Sequence, residues 1–352
     1  MKRRPSTQKA LPLSKGDDLF SRIRLILESA RTNIARTVNF EMVQAYWLIG
    51  REIIEEEQVG KKRASYGTGL LLSLSEKLMS EYGKGFDESN LRNIRHFYLS
   101  FPNRDALRHE LSWTHYRILM RIENAKARSF YEIECAENRW STRELERQIG
   151  SLLYERLALS KDKKAVARLA KKGQELQKYE DMIKDPYVLE FVGLPTAAKL
   201  YESNLEQALI DNLSKFLLEL GKGFTFVARQ KRLTLEGEHF FIDLVFYNTL
   251  LRCYVLIDLK MGKLTHQDIG QMQMYVHYYD RELKQESNNP SVGLVLCGDK
   301  KEAIVRYTLP KGNKQIFASK YKLYLPSEKE LREELKRERS LLERAQKLRK
   351  SD

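Results

Sequence analysis

The sequence predicts an α/β protein, in which a mainly α-helical N-terminal region precedes a core read as helix, three strands, helix, strand. Three observations carry that reading. Residues 17–159 show helical apolar spacing with few strand-like alternations. A single amphipathic helix, "LEQALIDNLSKFLLELGKG", then opens a stretch of short apolar runs. Between the two regions lies "SKDKKAVARLAKKGQELQKYEDMIKDPYVLEF", a charge-dense segment that ends at Asp185-Pro186, where proline disfavours a continuing helix. The predicted domains are a basic tail (1–16), a helical domain (17–160), a charged linker (161–200), the α/β core (201–326) and a C-terminal helix (327–352).

The elements of the core follow from periodicity. Leu205, Leu209, Leu213, Phe216, Leu217 and Leu220 share one face of a helix over 203–220, which Gly221 ends. Strands are predicted over 224–229, 238–247 and 252–260, the last two joined by a turn around Asn248 and Thr249. A helix follows over 267–281, with Ile269, Met272, Val276 and Tyr279 as its core stripe. A buried strand over 292–297 comes next, and "YKLYL" (321–325) reads as a further one.

Composition bounds the function. The 352 residues include 62 Lys+Arg against 48 Asp+Glu, a net charge of +14, and 42% hydrophobic residues, enough for a sizeable core. The cationic excess points to a polyanionic partner, with DNA first and RNA as the second polyanion. The three cysteines, Cys135, Cys253 and Cys297, stand far apart, which argues against a zinc or disulfide framework and fits a reducing cytoplasmic setting. No apolar run reaches the ~18 residues of a membrane span, so no membrane partner is expected. Homo-oligomer formation stays open.

The chemistry concentrates in "FFIDLVFYNTLLRCYVLIDLKMGK". Asp243, Asp258 and Lys260 lie inside apolar strands, where charges are rare unless they are paired or bind a metal. Asp258 and Lys260, two apart, share a strand face. A hairpin centred between Leu250 and Leu251 sets Asp243 opposite Asp258, with Cβ atoms ~4.5–5.5 Å apart. Carboxylates that close repel unless a cation lies between them, and hard oxygen ligands suit Mg²⁺ or Mn²⁺. The competing reading is a buried Asp–Lys pair with a second Asp on an edge strand, an arrangement that adds little net stability.

Asp243 followed by Asp258-Leu259-Lys260 on the next strand resembles the PD-(D/E)XK nuclease signature, and the element order is similar to the αβββαβ restriction-endonuclease-like core of that superfamily. Ile242 stands where the signature has proline. "GQMQMY" supplies Gln271 and Tyr275, which resemble the Gln-x-x-x-Tyr element of RecB-like branches. "YVLIDLKMGKLTHQDIGQMQMYV" and "SNLRNIRHFY" extend the likeness to YhcG-type nucleases over most of the chain. The resemblance implies a metal-dependent nuclease acting on DNA. Its metal would be held by Asp243, Asp258, the Leu259 carbonyl and Glu206, and Lys260, Gln271 and Tyr275 would serve catalysis. The alternative is a nucleic-acid-binding or assembly protein on an inactive nuclease fold. Ser203-x-x-Glu206 equally reads as a capping box, which would give Glu206 a purely structural role. Arg229 and Gln230, taken as the end of the first strand, are candidates for phosphate contact.

In the N-terminal region, "LLLSLSEKLMSEYGKGFDESNLRNIRHFY" predicts a helix-turn-helix or winged-helix-like unit, broken at Gly83–Gly85 and capped at Asp87. Leu91, Ile94, Tyr98 and Phe101 would face inward. Asn90, Arg92, Asn93 and Arg95 lie elsewhere on the second helix, and Arg and Asn are side chains that read guanine and adenine edges. A helical hairpin inside a bundle would show the same pattern.

Overall fold

The computed structural model describes residues 19–60, 66–158, 163–194, 201–299, 302–310, 312–324, 329–330, 332–333 and 335–336, with side chains from Val38 onward except at 59–60, 66–68, 163–164, 302–303 and 306. The predicted tail (1–16) and most of the predicted C-terminal helix lie outside the described residues. The chain divides into two units, one of residues 1–123 and 135–142, the other of 124–134 and 143–352.

In the first unit every regular element among the described residues is helical: α1 (Leu19–Gly60), α2 (Tyr66–Tyr82), α3 (Glu88–Ser100) and α4 (Trp113–Leu119). The α2–α3 turn contains Gly83 and Gly85 at φ of 77° and 119°, a region glycine enters without a Cβ clash. Asp87 caps α3 by accepting the Asn90 N–H at 2.9 Å. Leu91 and Ile94 pack with Ile53 and Leu71. Phe97, which the sequence reading left out, is fully buried on the inner face, while Tyr98 is half-buried with its ring 5.0 Å from that of Trp47.

Three further helices, α5 (Ala125–Asn138), α6 (Thr142–Gly150) and α7 (Leu153–Ala158), precede the segment expected to be a linker. Over residues 163–194 that segment is structured. It holds α8 (Lys163–Lys172) and β1 (Tyr187–Val188), and Lys184, Tyr187 and Val188 are buried. Its charge density is misleading because some of the charges are internal. Glu219, fully buried, accepts from Arg156 Nη1 at 2.6 Å and Arg147 Nη1 at 3.3 Å. It also accepts the Val188 N–H at 3.1 Å, while the Lys184 ammonium donates to the Glu219 carbonyl.

The core proper consists of α9 (Glu202–Asp211), α10 (Leu213–Leu220), β2 (Phe224–Leu235), β3 (Glu238–Asn248), β4 (Cys253–Lys263), α11 (His266–Tyr278), β5 (Val292–Asp299), α12 (Glu302–Thr308) and β6 (Ile316–Lys322). The single helix expected over 203–220 is two, divided at Asn212, whose φ of −114° and ψ of 30° leave the helical region. One six-stranded sheet has the order β1-β6-β5-β4-β3-β2. β2, β3 and β4 are antiparallel, whereas β4, β5, β6 and β1 run parallel. Among the parallel strands, β5 is a continuous buried apolar run over 292–297, as expected of a strand covered on both faces. Asn248 shapes the β3–β4 turn by accepting the N–H groups of Leu250 and Leu251 at 3.1 and 2.9 Å.

Each sheet face has its own core. Leu205, Leu209, Phe216 and Leu220 of α9 and α10 pack on Leu244, Phe246, Ile257 and Leu259. Ile269, Met272, Tyr275 and Val276 of α11 pack on Ile242, Val245, Leu256 and Val295. α11 sits so close to β5 that a Cβ at Gly293 would fall 2.5 Å from the Met272 side chain. Where the described residues resume near the C-terminus, Leu335 packs against Leu152.

Candidate active site

β3 and β4 pair in the register the sequence predicts, ending at Leu244↔Ile257. The next position in that register is Asp243 opposite Asp258. From there β3 stays with β2, through Ile242↔Lys231 to Glu238↔Leu235, while β4 continues beside β5 as far as Lys263. The strands part at the two carboxylates. Side-chain alternation also breaks there. Leu244 belongs to the core under α9 and α10, and Ile242, two residues away, to the core under α11. Such irregularities re-aim side chains and recur beside active sites. Opposite Asp243 in the β2–β3 register, Gln230 adopts φ 44°, a left-handed backbone costly for a residue with a Cβ.

The side chains around this fork form one bonded set. Gln230 Nε2 donates to Glu206 Oε2 at 2.5 Å and to Asp243 Oδ1 at 3.0 Å. The Leu259 N–H donates to Asp243 Oδ2 at 2.7 Å. Leu259 was expected to offer its carbonyl; its recorded contact with Asp243 is through the amide. Lys260 Nζ lies 3.0 Å from Asp258 Oδ2 and 3.4 Å from Glu202 Oε2. Glu202 also accepts the Met261 N–H at 3.3 Å. Tyr275 donates its hydroxyl to the Phe241 carbonyl at 2.9 Å, and Gln271 stands one helical turn before it on α11.

Electrostatics single out Asp258, which is 3% exposed. Burial raises its pKa well above the carboxylate range, the Asp243 charge adds to the rise, and Lys260 offsets only part of it. Its Oδ2, although near the ammonium, receives no well-directed hydrogen bond among the described residues. Lys260 responds in the opposite sense. Burial favours its neutral form, but Asp258, Glu202 and Asp243 outweigh burial and keep it protonated. Burial, with Asp258 and Asp243 adding, pushes the Tyr275 hydroxyl up to about 12. Burial also raises Glu206, against the Gln230 hydrogen bond.

This donor set suits a hard divalent cation. Asp243 and Asp258 offer carboxylate oxygen, and a buried carboxylate oxygen without a directed donor, beside a second acidic group, is the condition such a cation relieves. Glu206 is tied to Asp243 through the Gln230 amide, and among the described residues no three acidic, His or Cys side chains converge as a closed metal cage. The capping-box expectation is corrected. α9 starts two residues earlier than that reading needs, with Tyr201 rather than Ser203 at its N-cap, and Asn204 caps it by accepting the Tyr201 N–H at 3.0 Å. Glu206 is thereby left to the site.

Arg229 and Gln230 do not end their strand. β2 continues to Leu235 because the polar run Lys231–Leu235 pairs with 238–242. Arg229 is exposed and donates to Gln207 Oε1 at 2.9 Å. Glu202 escaped the sequence reading, although it stands four residues before Glu206 and so on the same helical face.

In the first unit, Asn90 donates to the Gly85 carbonyl at 2.6 Å and accepts from Trp113 Nε1 at 3.2 Å. Arg95 pairs with Glu57 at 2.8 Å and Arg92 with Glu88 at 2.5 Å. Asn93 is half-buried, and Arg92 is exposed.

Two family models match the chain. Residues 180–336 match the family described as YhcG PDDEXK nuclease domain, and residues 22–156 the DUF1016 N-terminal domain. The "Putative nuclease YhcG" of Escherichia coli (strain K12) is 39% identical over 350 residues, covering 90% of this chain and 93% of that protein. A repair endonuclease from Pyrococcus abyssi is 21% identical, with 37% of this chain and 50% of that chain covered and a TM-score of 0.25. An EndoMS–double-stranded DNA complex is 14% identical, with coverages of 38% and 50% and a TM-score of 0.26. The overlap spans about half the length of those two solved structures. Superpositions at that score carry no argument about this site.

Proposed function

Because the chain belongs to the YhcG PDDEXK nuclease family, we propose that it hydrolyses phosphodiester bonds in DNA with a divalent cation, Mg²⁺ or Mn²⁺, held by Asp243 and Asp258. The observation that carries this reading is the fork of β3 and β4. There a buried, under-compensated Asp258 lies beside a protonated Lys260 and shares a register position with Asp243.

When bound, the cation supplies positive charge against the scissile phosphate and acidifies a water for attack. Asp243 and Asp258 hold it, with the Leu259 carbonyl and Glu206 as further oxygens. Lys260 keeps its ammonium at the fork, where it orients the attacking water and stabilises the negative charge that develops on the phosphate. Glu202 is a second carboxylate on that ammonium, at 3.4 Å. Gln271 positions the substrate strand from α11, whereas Tyr275, fully buried and bonded to the Phe241 carbonyl, acts by holding the strand that leads into Asp243, and Arg229 contacts a neighbouring phosphate. Asn93 and Arg92 on α3 present the first unit to DNA, with the cationic excess supplying attraction along the backbone. Three free, buried cysteines and the lack of any helix long and apolar enough to cross a membrane among the described residues accord with a cytoplasmic enzyme.

The test is incubation of the purified chain with duplex, branched and single-stranded DNA in Mg²⁺, Mn²⁺ or EDTA. Cleavage with either cation and none in EDTA is expected. Cleavage that persists in EDTA, or no cleavage of any form, overturns the reading.

A further inference from the structure

The ribbon that carries Asp243 has a second face that the reading above leaves unused. Beyond the fork, residues 238–242 of β3 pair with β2 alone. One side of this ribbon is anchored. Leu233 and Ile242 are buried under α11, with Phe240 packed beside them. Strand alternation sends Arg232, Thr234, His239 and Phe241 to the other side, and all four are exposed. They form two cross-strand pairs, Arg232↔Phe241 and Thr234↔His239, the second closed by a 3.0 Å contact between Thr234 Oγ1 and His239 Nδ1. Phe241 stands two residues from Asp243 and is 46% exposed. Its neighbour Arg232 has no recorded carboxylate partner among the described residues, nor has the adjacent Lys231.

An exposed aromatic ring and a free guanidinium, side by side on a sheet surface and leading away from a phosphate-handling site, are the elements of a stacking track for unpaired bases. A duplex offers little to such a ring, since each interior base is already stacked on both sides. We propose that this ribbon face binds single-stranded DNA flanking the scissile phosphate, with Phe241 stacking on a base and Arg232 holding a phosphate. The proposal rests on the nuclease reading of the fork and adds the substrate class: DNA with an unpaired segment next to the cut.

The experiment uses the full chain in EDTA, which separates binding from cleavage. The probes are a single-stranded oligonucleotide with 2-aminopurine and a blunt duplex of the same sequence. Phe241→Ala should weaken single-strand binding by about five- to a hundredfold, the range of one lost base stack, and change duplex binding less than about twofold. Phe241→Trp should retain single-strand affinity and quench 2-aminopurine. Arg232→Gln should reduce the salt slope of single-strand binding by about 0.7. Wild-type affinity in Phe241→Ala, equal losses on both probes, or no single-strand binding by the wild type overturns the proposal. Should Phe241→Ala fail to fold, the Phe241→Trp and Arg232→Gln results decide it: no quenching together with an unchanged salt slope is the negative result. Cleavage assays on the wild type in Mn²⁺ are scored separately. A wild type that cuts while Phe241→Ala binds normally removes only the track, whereas Phe241-dependent binding without any cleavage removes only the nuclease reading.

Discussion

Glu219 and Asp258 are buried carboxylates in the same unit, and their environments move them in opposite directions. Burial alone would raise both. At Glu219 the Arg156, Lys184 and Arg147 charges outweigh burial and hold the carboxyl down at about 2. At Asp258 a single ammonium faces two other acidic groups, and the carboxyl stays raised. Glu219 also accepts the Val188 N–H and one N–H each from Arg156 and Arg147, so both of its carboxylate oxygens are engaged inside the protein. The fully compensated carboxylate ties α6, α7 and β1 to the core. The under-compensated one retains electrostatic demand for something outside the chain. Burial of charge therefore does not mark a functional site by itself; the shortfall in compensation does.

The sharpest way to break this contrast is Asp258→Ala. Cleavage should fall to background while the melting temperature holds or rises. Asp258 has a folded pKa above its unfolded value, so the folded state keeps its proton longer, and ionisation at neutral pH costs stability that the substitution returns. A variant that cleaves at the wild-type rate would remove Asp258 from the site.

Arg156→Met should do the reverse, destabilising the unit by about 3–5 kcal/mol because Glu219 loses its closest buried partner. Denaturant titration measures this, and the double variant Arg156→Met, Glu219→Gln should recover part of the loss. A loss under about 0.5 kcal/mol would show that the cluster is not the clasp described here.

Lys260→Ala should lower turnover by about a hundred- to a thousandfold. Mn²⁺ affinity, read by calorimetry, should stay unchanged or rise as a nearby positive charge is lost. Lys260→Arg keeps the charge but not its compact shape, and should not restore full rate. A large drop in melting temperature together with full rescue by arginine would instead make Lys260 a structural partner of Asp258.

Glu219 also predicts an acid limb of the stability curve. Its folded pKa of about 2 lies below the ordinary 4.5, so its contribution is complete above pH 4.5 and lost as pH falls toward 2. The loss amounts to about 3 kcal/mol. Glu219→Gln should flatten that limb, and an unaltered limb would assign acid unfolding to other groups.

The smallest effect concerns α3. Arg92→Ala removes an exposed pair with Glu88, which should shift stability by less than about 0.5 kcal/mol. If α3 meets DNA, the salt slope of duplex binding should fall by about 0.9. An unchanged slope would separate Arg92 from the DNA contact.

The sequence by itself determined the Asp243/Asp258 register, the shared face of Asp258 and Lys260, the core stripe of α11 and the Asp87 cap. These are set by local periodicities of two and 3.6 residues and by a turn that the polar pair Asn248-Thr249 announces and that is centred between Leu250 and Leu251. Only the tertiary structure decided the rest. Glu206 reads as a capping residue until the position of Tyr201 and Asn204 shifts the helix start. Gln230 reads as a strand end, because nothing local announces that the polar run after it finds partners across a ribbon. Glu202 gains its role from a strand 58 residues away in sequence. The charge-dense stretch before the core reads as a solvated linker, since the sequence gives the number of charges but not which ones find opposite partners in the interior. Periodicity fixes which way a side chain points on its own element; what it meets there depends on elements distant along the chain.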